Sequence, residues 1–154
     1  MTTEEKIKLA IELGYTYNPN TGKIYGRMKT EIKAKTNGYI VMNLARGGKS
    51  KTITLKGHQF IFYCEHGYIP KCIDHINRDR SDNRVENLRA VTAKENGYNR
   101  GAKGYRYDES LGKYKAYIRI DGSYKHLGVH KTEEEAKQAY QNAKKIYHII
   151  DATS

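Results

Sequence analysis

Apolar and polar positions alternate along this chain with periods that change from one segment to the next. Near the N-terminus Ile7, Ala10, Ile11 and Leu13 recur at helical spacing, behind Thr2 and Glu5 at the spacing of a capping box, and Gly14 follows as a stop. A short helix over about residues 3–13 is predicted. Strand-like runs come next (YTY, KIYGRM, NGYIVMNL, SKTITLK), punctuated by Pro19, Gly22, Gly38 and the pair Gly47 and Gly48, so a small antiparallel sheet fits. Residues 58–65 (HQFIFYCE) are continuously apolar and read equally as a buried helix or strand. From Ile73 to Asn99 the pattern dissolves into Asp, Asn and Arg, with Thr92 as the N-cap of a short helix reaching about Tyr98.

Beyond a linker over residues 101–104 the signal sharpens. Tyr114, Ala116, Ile118 and Ile120 alternate with Lys115, Tyr117 and Arg119, the mark of a half-buried strand. Asp121 and Gly122 form a hairpin signal and SYKHLGV is the returning strand. Thr132 and Glu135 make a second capping box, before Ala136, Ala139, Tyr140, Ala143, Tyr147 and Ile150 at three- and four-residue spacing. Three strands backed by one helix follow, since helix and sheet each have one apolar face to bury. The chain is therefore read as α+β in three parts: an N-terminal helix and antiparallel sheet over 1–57, a loop-rich centre over 58–100, and a three-stranded sheet plus helix over 101–154.

Charge adds a partner. The net charge is +11, and between Lys23 and Lys56 nine basic residues stand against the single acid Glu31. Because these bases alternate with Tyr, Gly and β-branched residues, they suggest a folded, phosphate-facing surface and a polyanionic partner. No apolar run of eighteen residues exists, so no membrane span is expected. The first residues are acidic where a signal peptide would be basic. Cys64 and Cys72 are too few for a disulfide framework, and a cytoplasmic setting is the default.

The chemistry is concentrated between Asp74 and Asn96. Hydrolysing a phosphodiester needs an activated water and neutralisation of charge as the bond breaks. A neutral imidazole such as His75 suits the first task, and a hard cation on oxygen ligands such as Asp74 and Asn96 suits the second. On an extended segment the adjacent side chains of Asp74 and His75 diverge, which allows a division of labour. Two other readings compete. Cys64, His66, Cys72 and His75 could supply four zinc ligands, although their spacing is that of no common zinc module. A DNA-binding protein without catalysis would share the same basic surfaces.

The stretch DHINRDRSDNRVENLRAVTAKEN resembles the core of the phage-type HNH endonucleases, many of them homing enzymes. That resemblance implies a β-hairpin crossed by a helix around one metal ion, the ββα-metal arrangement. By position it makes Asp74 and Asn96 metal ligands, His75 the general base, Asn87 the residue bracing the loop behind the base, and Arg89 a phosphate contact. Upstream, GHQFIFY resembles the segment before the hairpin, with Gln59 where the family often has Arg, and His58 is read as a packing residue. The C-terminal runs GYRYD, GKYKAYIRIDG and KHLGVHKTEEEAKQAY resemble the plant ethylene-response-factor (APETALA-type) DNA-binding domain. This implies a sheet lying in the major groove, with Arg106, Lys115, Tyr117, Arg119, Tyr124 and His126 facing the duplex. The resulting expectation is a DNA endonuclease with one Mg²⁺ or Mn²⁺ per active site, double-stranded DNA as partner, no small-molecule substrate and no membrane, as monomer or dimer.

Overall fold

The computed structural model describes residues 1–44 and 52–150. The Gly47 and Gly48 turn lies outside the described residues. The chain folds as α+β in two compact units, one running to Ala93 and the second beginning at Lys94.

The first unit opens with helix α1 (Thr3–Glu12), whose N-terminus carries the capping box: Thr2 and Glu5 satisfy each other's backbone N–H groups. The expected apolar face is corrected in one position. Ile11 is 50% exposed and Leu9 is buried in its place, because α1 packs against both strand β5 (Ile53–Lys56) and helix α2 (Gly57–His66), which widens the covered face toward Leu9. Strands β1 (Thr16–Asn18) and β2 (Lys23–Tyr25) form a hairpin. Strands β3 (Lys35–Thr36), β4 (Tyr39–Leu44) and β5 form an antiparallel sheet with β4 in the centre. The apolar run before the Asp-His pair resolves as the helix α2, closed by Gly67 in the left-handed conformation. Phe60 and Ile61 of α2, Ile7 and Ala10 of α1, Ile24, Met42, Leu44 and Leu55 share one core. The N-terminal sheets and α2 are thus held by the same apolar contacts.

A second hairpin pairs β6 (Cys72–His75) with β7 (Leu88–Val91), in register Asp74 to Arg89 and His75 to Leu88. A long loop joins them and ends in a 3₁₀ turn over Val85–Asn87. Leu88 of β7 belongs to the first unit's core, so the hairpin that carries the Asp-His pair is anchored to it.

The second unit holds β8 (Tyr105–Asp108), β9 (Lys113–Ile120) and β10 (Ser123–His130) in the antiparallel order β10-β9-β8. Helix α3 (Ala93–Tyr98) precedes them and helix α4 (Glu133–Tyr147), capped by Thr132 and Glu135, follows. The inward residues of β9, Ala116 and Ile118, are buried against Ala136, Tyr140 and Ala143 of α4, as the sequence periods predict. Gly104 approaches the ring of Tyr140 so closely that a Cβ there would lie 2.1 Å from it. Among the described residues no helix is long and apolar enough to cross a membrane.

Candidate nuclease site

The β6–β7 hairpin fixes where the Asp-His pair sits. In an extended strand neighbouring side chains leave on opposite faces, so Asp74 and His75 enter different surroundings although adjacent. Both are buried, at 7% and 4% exposure. Asp74 lies directly across the ladder from Arg89, whose Nε and Nη2 donate to its Oδ2 at 3.0 and 2.7 Å. The two parallel contacts fix the carboxylate in one orientation. Arg89, expected to touch phosphate, has two of its nitrogens engaged on Asp74.

His75 sits in an aromatic and amide environment. Its Nε2 lies 3.2 Å from Oδ1 of Asn83, and its ring meets His58 edge-on at 5.2 Å and Tyr39 at 5.9 Å. Burial pushes the His75 pKa below the usual imidazole value, opposed by the Asn83 contact and by Asp74, Asp79 and Asp82. The ring is therefore neutral near pH 7 and able to accept a proton. His58 is buried as well, and desolvation with the nearby His75 and Lys56 brings its pKa down to about 3. Two cations gather on the Tyr39 ring, Lys56 Nζ at 4.8 Å and the Arg80 guanidinium at 5.1 Å from its centroid.

The loop between the strands is tied by side-chain amides. Asn87 Oδ1 accepts from the backbone N–H of Asn77 at 3.0 Å, while its Nδ2 donates to Asn77 Oδ1 at 3.0 Å and to the carbonyl of Asp82 at 2.8 Å. Asn77 in turn holds Asp82 and the N–H of Asp79, and Asp79 accepts from Ser81. One buried amide thus links both ends of the loop that leaves His75.

Among the described residues no three His, Cys, Asp or Glu side chains gather as a metal site, so Cys64, His66, Cys72 and His75 form no zinc cluster. A hard-cation site of another composition remains compatible with the residues present: Asp74 is a buried carboxylate already fixed by Arg89, and oxygen donors are the chemistry Mg²⁺ and Mn²⁺ prefer. Asn96 lies on α3, which belongs largely to the second unit.

In the second unit the antiparallel register puts the predicted groove-facing residues on one side of the sheet. Arg106 pairs with Lys115, Tyr117 with His126 and Arg119 with Tyr124, and the β9 members are two residues apart. Arg106, Lys115, Tyr117, Tyr124 and His126 line one shallow groove of about 470 Å³, and the Arg119 guanidinium lies 5.8 Å from the centre of the Tyr124 ring, which is 69% exposed. Asp108 changes this face in a way the pattern did not reveal: its carboxylate pairs with Lys115 at 2.5 Å and is held far below the usual carboxylate range by that lysine and Ser110. Sequence reasoning placed Asn83 in the informative stretch without a role and missed Tyr39 and the environment of His58, because their roles arise from contacts between segments apart in the chain.

Residues 56–98 match the family model described as HNH endonuclease. That segment spans α2, the β6–β7 hairpin and all of α3, and it gives the chain an HNH endonuclease domain and makes it a nuclease. A solved structure described as "DNA binding and cleavage by the HNH homing endonuclease I-HmuI" is similar at 26% identity, covering 73% of this chain and 70% of that one, with a TM-score of 0.46. No curated protein gives a significant match.

Proposed function

We propose that this HNH nuclease is a homing-type DNA endonuclease that cuts duplex DNA with His75 as general base and Asp74 as a ligand of one divalent cation. The observation that carries the reading is the hairpin's separation of two buried groups: a carboxylate fixed by Arg89 on one face, and an imidazole kept neutral by burial on the other. Mg²⁺ or Mn²⁺ bound there would neutralise charge building on the scissile phosphate and the leaving oxygen. His75 removes the proton from the attacking water. Asn87 holds the loop behind it, and Arg89 fixes the Asp74 carboxylate, with its remaining nitrogen directed to phosphate.

Each unit contributes its own contacts to the duplex in this reading. Lys23, Lys33, Lys35 and Lys56 of the first unit meet phosphates, which position the protein without reading sequence. The outer sheet face of the second unit, with Arg106, Lys115, Tyr117, Arg119, Tyr124 and His126, enters the major groove in the manner of the ethylene-response-factor domain it resembles. Asp108 sets one limit on that face, since it neutralises Lys115 and leaves Arg106 and Arg119 as the stronger candidates for guanine. The test is nicking of supercoiled plasmid with Mg²⁺. His75→Ala is expected to abolish nicking while DNA affinity persists, and cutting by that variant at the wild-type rate refutes the assignment of the base.

A further inference from the structure

Asn83 is 1% exposed, yet its Nδ2 has no hydrogen-bond partner among the described residues. Leaving an amide hydrogen unsatisfied in the interior is a penalty that a leucine of similar volume would avoid. The fold nevertheless makes room for it twice. At Gly57 a Cβ would stand 3.0 Å from Asn83 Nδ2 and 2.6 Å from Ile24 Cδ1. At Gly22, which has φ +67°, a Cβ would stand 2.5 Å from both the Asn83 carbonyl carbon and the Arg84 nitrogen. The N–H of Val85 also donates to the carbonyl of Pro19 at 3.0 Å, fastening the same segment to the turn between β1 and β2. What the buried amide reaches with its oxygen is the imidazole: Oδ1 lies 3.2 Å from His75 Nε2.

We propose that Asn83 is a positioning residue for His75, its amide oxygen fixing the ring with the hydrogen on Nε2 so that the basic lone pair lies on Nδ1. An oxygen can only accept, so the nitrogen facing it must donate. When water is deprotonated its O–H bond breaks, the electron pair stays on oxygen as the nucleophile, and the proton goes to Nδ1. The Nε2–H bond to Asn83 persists through that transfer and strengthens as the ring becomes cationic. The β1–β2 turn lies against the Asn83–Arg84 backbone so closely that only glycine fits at position 22. This inference rests on the nuclease reading given above.

The experiment uses the full chain labelled with ¹⁵N-histidine, read by NMR without metal or DNA, alongside plasmid nicking with Mg²⁺. Wild type is expected to show a protected Nε2–H on His75. Asn83→Leu should lose that signal and drop kcat roughly ten- to hundredfold, the usual cost of removing a group that orients an active histidine, with KM unchanged. Asn83→Asp keeps an acceptor oxygen and should recover the signal and most of the lost rate. An active wild type carrying its hydrogen on Nδ1, or a folded Asn83→Leu with unchanged kcat and N–H signal, overturns the role of Asn83 alone. A wild type that holds Nε2–H but nicks no DNA overturns the nuclease reading and, with it, the catalytic meaning of the bond. The wild-type spectrum settles the tautomer even if Asn83→Leu does not fold.

Discussion

Acid should loosen the first unit through His58, and the size of the effect can be worked from its burial. The unfolded imidazole titrates at 6.5 and the folded one at about 3, because the ring is buried beside His75 and Lys56. Between these values the unfolded chain binds a proton that the folded chain does not, so stability is complete above pH 6.5 and is lost as pH falls toward 3. At pH 5 one such group removes about 2 kcal/mol relative to neutral pH, and any folded value below about 4 gives nearly the same figure. His75 is shifted in the same direction and adds to the loss. Carboxylates with lowered pKa values contribute too, so the measurement must isolate His58. His58→Phe keeps a ring against His75 and Tyr39, removes the titration, and removes a buried Nδ1 that has no partner among the described residues. Urea unfolding at about pH 7.5 and pH 5, read by hydrogen exchange at the amides of α2, gives the loss for each protein. Wild type should lose about 2 kcal/mol more than His58→Phe. Equal losses within about 0.5 kcal/mol would refute the claim that this imidazole stays neutral in the folded state.

Three further outcomes follow from the same contacts. Gly22→Ala places a Cβ against the Asn83–Arg84 backbone at a left-handed φ, so the first unit should lose at least about 2 kcal/mol in urea unfolding, more than the ordinary cost of alanine at such an angle. Asn87→Ala removes three hydrogen bonds that tie the loop, and should cost about 1–3 kcal/mol and lower kcat for nicking, with DNA affinity in a gel-shift assay nearly unchanged. If the two basic faces cover about six phosphates, affinity for a random duplex should fall roughly a thousandfold between about 50 and 200 mM salt, and a flat response would count against both faces.

The candidate site divides between what was legible and what was not. Asp74 and His75 stand out in the sequence because their types and adjacency suit a strand that sends them to opposite faces. Asn87 was assigned to bracing by resemblance, and the structure adds the three bonds it makes. Arg89 is a phosphate contact by the same resemblance, which gives no sign of its partner within the chain; the register of β6 on β7 places it opposite Asp74. Asn83 looked like one more polar residue in an Asn-rich loop. The turn between β1 and β2, about sixty residues earlier, and Gly57 at the start of α2 close around it, and its Oδ1 reaches His75.

Local order was written in the sequence alone. The two capping boxes, the alternation of β9, the Asp121-Gly122 hairpin and the apolar stripe of α4 each depend on neighbours within a few residues, where period and capping act directly. Whether residues 58–65 became helix or strand was decided by the tertiary structure, since a continuous apolar run is buried either way and only packing against β4, β5 and α1 selects the helix. The same holds for the neutral histidines and the Asp108–Lys115 pair. A pKa or an ion pair depends on which groups are brought within a few ångströms and stripped of water, and the fold alone sets that.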